Sequence, residues 1–124
     1  MEPTNETELP STDSASLDRL KRFGGGKLLN EMISLFLSAA PERVDAARSG
    51  LAANDVSAVE NAMHSLKSSS AQLGALRMQR ICEEGEAIAR AGSLEGIAAL
   101  VANLDDELPR VRTWLENARK PESA

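Results

Sequence analysis

The chain has 124 residues, 42% of them hydrophobic and 27% charged, with a formal net charge of −5. That length fits one domain and not two, and an acidic surface of this kind repels phosphate backbones, so nucleic-acid binding is not expected. Phe23, Phe36 and Trp114 are too few for a base-stacking platform, and the single cysteine, Cys82, allows neither an internal disulfide nor a cysteine metal cage.

Residues 1–13, MEPTNETELPSTD, are polar, hold two prolines and lack apolar periodicity. They read as a disordered leader or linker remnant, and residues 120–124 read as a disordered tail. The domain between them spans 14–119. A short helix is predicted from Ser16 to Phe23, with Leu17, Leu20 and Phe23 on one side, stopped by Gly24-Gly25-Gly26. A second helix runs from Lys27 to Ala39 on the stripe Leu29, Met32, Ile33 and Phe36. Pro41 opens a third at its first turn, which carries Val44, Ala47 and Leu51. Asn54 and Asp55 offer an N-cap to a fourth, Asp55 to Leu73, and Gly74 is a left-handed stop. A fifth helix covers Ala75 to Ala91 and ends at Gly92, and Ser93 caps the sixth.

The sixth helix has the clearest pattern. Ile97, Val101, Leu104, Leu108, Val111 and Leu115 are spaced 4, 3, 4, 3, 4, a bundle-core stripe. Pro109 lies within it and predicts a kink near 105–108 or two shorter helices. Nothing alternates with period two. The expected fold is all-α, an up-and-down four-helix bundle with additional short N-terminal helices. No apolar run spans a membrane and no signal segment opens the chain, so the expected location is cytoplasmic. The bundle closes its own core, which predicts a monomer.

His64 is the only histidine. It misses the centre of the stripe Val56, Val59, Met63, Leu66, Leu73 by roughly 130° and should face solvent or the seam's edge. Lys67 and Ser68, three and four residues on, share its face. An amine there is a poor neighbour for a protonated imidazole and a good one for an imidazole carrying a phosphoryl group.

The stretch from His64 to Ala75, HSLKSSSAQLGA, resembles the signature of histidine-containing phosphotransfer (HPt) domains, His-x-Leu-Lys-Gly-Ser-x-x-x-x-Gly. The resemblance extends from Leu17 to Leu115 and takes in the Phe36 segment, the Cys82-Glu83 step and the long last helix. It implies a four-helix bundle that takes a phosphoryl group from a kinase or a receiver-domain aspartate and passes it to a receiver aspartate. His64 would then be the phosphoacceptor, through Nε2, and Lys67 would steady the phosphoryl charge. The family often places Gln or Glu 22 residues past the histidine, bonded to the other ring nitrogen; Glu86 stands there, flanking the stripe Met78, Ile81, Gly85, Ile88. Equally, Glu86 fits a solvated Glu83-Glu84-Glu86 face. Ser68 replaces the usual Gly where the partner approaches.

The partners so implied are response-regulator receiver domains and a sensor or hybrid histidine kinase. The domain itself is a phosphocarrier with no kinase activity, no cofactor and no metal, and Mg²⁺ belongs to the receiver. Gly24-Gly25-Gly26-Lys27 lacks the spacing and preceding strand of a phosphate loop. Cys82, Trp114, Met32, Met63 and Met78 read as packing residues. Two rival readings are a receiver- or kinase-binding adaptor that carries no phosphate, and the phosphoacceptor domain cut from a larger hybrid or chemotaxis-type kinase.

Overall fold

The computed structural model describes residues 11–119. Four helices follow one another: α1 (Ser14–Ala52), α2 (Val56–Leu73), α3 (Leu76–Arg90) and α4 (Ile97–Arg119). Each packs on its neighbours in the chain, and α4 closes the ring onto α1. No helix is long and apolar enough to cross a membrane among the described residues.

Local chemistry sets most boundaries where the sequence predicts them. The Asp55 side chain accepts the Ala58 N–H at 3.1 Å and caps α2. Gly74 ends α2 in the left-handed conformation, with φ 87°. The core stripes are also as expected. Ile33, Val59, Met63, Leu66, Met78, Cys82, Ile97, Leu104, Val111 and Leu115 are all buried in one cluster. Trp114, Met32 and Leu108 pack against it. Burying a side chain of the Leu, Ile or Met kind contributes roughly 1.5–3 kcal/mol, so these positions dominate the driving force.

The N-terminal third departs from expectation. The second and third predicted helices are one: α1 runs through Pro41. A break does fall where Gly24-Gly25-Gly26 predicts a stop, at Gly25, whose φ 76° and ψ −179° are not helical. Phe36, Ala40, Val44 and Ala47 are all buried. They form one stripe across Pro41, and the packing of that stripe outweighs the lost backbone bond. α4 likewise runs unbroken through Pro109, so the two-helix alternative is not realised. It begins at Ile97, later than the Ser93 cap implied, because Gly96 takes φ 87° and delays entry. The Ser93 hydroxyl caps only a turn, accepting the Glu95 N–H at 3.0 Å.

Residues 11–13, assigned to the leader by the sequence reading, are held to the bundle. The Asp13 N–H donates to the Gly74 carbonyl at 2.8 Å, and the Arg77 N–H to the Ser11 carbonyl at 3.3 Å. The Asp13 side chain caps α1 through the Ala15 N–H. Residues 1–10 and the predicted tail, 120–124, lie outside the described residues.

Candidate functional site

His64 sits in the middle of α2, one residue beyond the buried Met63. Burial at Val59, Ala62, Met63, Leu66, Ser70 and Leu73 fixes which side of α2 faces the core. His64 is thereby turned outward, and its side chain is 59% exposed. Ser68, one turn on, is also exposed. α3 lies alongside, and Gly85 makes the approach close: a Cβ there would come within 2.9 Å of Met63 Sδ and Cε. The next residue on α3 is Glu86.

Glu86 is buried, its side chain only 3% exposed, which removes the solvated-face alternative. Its carboxylate gathers three partners. His64 Nδ1 lies 2.8 Å from Oε2. Arg90 Nη2 donates to the same oxygen at 2.5 Å. Lys67 Nζ sits 2.6 Å from Oε1. The Lys67 ammonium above all, with help from His64 and Arg90, holds the Glu86 carboxyl below its ordinary range, against the opposing effect of burial. An ionised carboxylate only accepts, so Nδ1 carries the proton and donates it. In the neutral ring the lone pair is then on Nε2, and no described residue bonds that atom.

The structure thus brings together His64, Lys67 and Glu86, with Ser68 exposed one turn away. Two members were missed. Arg90 holds Glu86, and its Nε reaches Glu60 Oε2 on α2 at 3.3 Å. Their signals were present: Arg90 stands four residues after Glu86 and Glu60 four before His64, the spacing at which helix side chains meet. In the unphosphorylated protein Lys67 pairs with a carboxylate of the protein itself.

The remaining candidates are inert. Burial, with a smaller contribution from Glu86, pushes the Cys82 thiol up to about 12, so no thiolate nucleophile forms near neutrality. Among the described residues no group of three or more His, Cys, Asp or Glu is placed to hold a metal ion.

Fold and site together define a helical bundle that offers one imidazole to solvent, its tautomer set by a buried carboxylate. The Hpt-domain family model matches residues 31–114, and the chain belongs to that family, the histidine phosphotransfer proteins of phosphorelays. Among solved structures it is similar to histidine-containing phosphotransfer protein B (HptB) from Pseudomonas aeruginosa PAO1, at TM-score 0.84 and 26% identity over 91% of this chain and 97% of that one. The HPT domain of the Hpt sensor hybrid histidine kinase from Shewanella shares the fold at TM-score 0.76, with 23% identity over 92% of this chain and 97% of that one. No curated protein sequence matches the chain. Membership of the family implies interaction with kinases and receiver domains.

Proposed function

We propose that His64 is the phosphoacceptor, attacking phosphorus through Nε2, and that Lys67 and Glu86 serve the transfer. The observation that carries this reading is the bond from Nδ1 to buried Glu86 on a ring otherwise exposed. It directs the nucleophilic lone pair outward, where a partner's phosphoaspartate can reach it in line. As the new P–N bond forms, the acyl phosphate P–O bond breaks and the aspartate leaves as its carboxylate. Transfer onward is the reverse, onto another receiver aspartate. Phosphoryl transfer needs position and charge compensation above all, and this site offers a fixed ring with an ammonium beside it.

Ser68 lies where the receiver approaches, and its small side chain permits close contact. The protein works as a cytoplasmic monomer with receivers and a sensor or hybrid kinase as partners. It needs no metal or cofactor of its own, Mg²⁺ being held by the receiver. The test is phosphorylation by a panel of phosphorylated receiver domains. An acid-labile, base-stable label that vanishes in His64→Gln, with the helical signal unchanged, is expected. Label retained in His64→Gln would overturn the assignment of His64. Receiver binding without label in the wild type would make the chain an adaptor.

A further inference from the structure

Glu86 attracts more positive charge than the orientation of one imidazole requires. Its Oε1 holds Lys67 Nζ at 2.6 Å, while Oε2 accepts from both His64 Nδ1 and Arg90 Nη2. Arg90 is itself fixed at its other edge. Its Nε donates to Glu60 on α2, so the guanidinium bridges the two helices although its side chain is 63% exposed. The result is a chain of alternating charge: Glu60, Arg90, Glu86, Lys67, with the imidazole attached at Glu86.

This arrangement poses a problem for transfer at His64. Lys67, three residues along the same face, is the cation placed to meet a phosphoryl group on Nε2. In the unphosphorylated protein its charge is engaged by a buried carboxylate. A phosphoryl group brings about two negative charges to the ring. If Lys67 turned to it with nothing else in place, Glu86 would stay buried, ionised and short of a cation beside that new charge. Arg90 removes the conflict, because it holds the other carboxylate oxygen and need not move.

We infer that Arg90 is a positioning residue for transfer at His64: it keeps Glu86 in place and compensated, so that Lys67 is free to serve the phosphoryl group. The inference rests on His64 being the phosphoacceptor. Arg90 touches neither the reacting nitrogen nor the phosphoryl group and acts through Glu86. Glu60 holds the guanidinium in register for that task.

Phosphoramidate, a small P–N donor, tests this without a protein partner. The Nε2 lone pair forms a new P–N bond as the donor's P–N bond breaks. Ammonia leaves with the protons it holds in the zwitterionic donor, and Nδ1–H stays on Glu86. Phosphorylation rates are measured against donor concentration for the wild type, Lys67→Ala, Arg90→Ala, the double variant, Arg90→Lys and His64→Gln. Circular dichroism and urea unfolding are followed in parallel. Arg90→Ala should lower the saturating rate by about three- to tenfold, with the half-saturating concentration little changed. The double variant should be no slower than the slower single one, because without Arg90 the ammonium of Lys67 stays on Glu86. Arg90→Lys should recover most of the rate by restoring a cation.

A wild-type rate in Arg90→Ala overturns the inference, and so do independent, multiplying losses at Lys67 and Arg90. If alanine at 90 lowers helix content, Arg90→Gln keeps an amide donor without the charge. A folded, fully active Arg90→Gln would be equally fatal. Label persisting in His64→Gln would bring down the phosphoacceptor assignment instead, and label lost only there would leave that assignment standing while Arg90 fails.

Discussion

At the scale of single residues, Glu86 links the chemistry of the site to the stability of the bundle. A carboxylate as deeply buried as this one is tolerated only with partners, and it has three. Lys67 foremost keeps its folded-state titration below its ordinary value of 4.5. A depressed folded pKa means that the ionised partnership favours the folded state above the ordinary value. That contribution is lost as pH falls through the lower, folded one. Urea unfolding followed from neutral to acidic pH should therefore show wild-type stability declining below about 4.5. Glu86→Gln, which has no charge to lose, should flatten that part of the profile. Equal slopes for the two proteins would assign the acid sensitivity to other carboxylates.

At the scale of elements, the break in α1 is a matter of backbone conformation. Gly25 combines φ 76° with ψ −179°, a region that side chains with a Cβ avoid at a cost of roughly 1–3 kcal/mol. A Cβ at this position would meet no atom within 4 Å, so the strain would be purely conformational. Because Ser16 and Leu17 are buried beyond the break, the chain cannot straighten without exposing them. Gly25→Ala should lower stability in urea unfolding by about 1–3 kcal/mol. No change would mean that the first segment of α1 leaves the bundle at little cost. The same region shows what a sequence hides. α2 and α3 were legible because Asp55 and Gly74 mark their boundaries with specific local conformations. Pro41 and Pro109 gave equally plain local signals, yet α1 and α4 each continue through them, with buried side chains on either side. Pro109 leaves the Asp105 carbonyl without its helical donor, and Asp105 lies on the exposed side of α4. In the site, His64, Lys67 and Glu86 were legible through a spaced motif. Arg90 carried only its spacing of four from Glu86, and that alone does not separate it from a solvated helix-end charge until α2 is placed beside it.

At the scale of the molecule, one polar cluster surrounds His64, and Glu86, Arg90 and Glu60 tie α2 to α3 there. A separate one lies where the N-terminal segment meets α3 and α4. Glu107 on α4 is buried and accepts the Ser11 hydroxyl, with Arg77 of α3 at 3.9 Å. Asp13 bonds the Gly74 carbonyl and caps α1. Gly74 and His64 are separated by roughly 15 Å along α2, at 1.5 Å per residue. The terminal cluster should therefore govern stability while leaving the chemistry alone. Asp13→Ala removes an N-cap and should cost about 1 kcal/mol in urea unfolding. Its phosphorylation rate with phosphoramidate should match the wild type, because nothing that holds the imidazole, Glu86 or Lys67 has changed. A slower rate in a protein still fully folded at the assay temperature would show that α2 transmits changes from its C-terminal end to His64. The two clusters would then have to be treated as one coupled system.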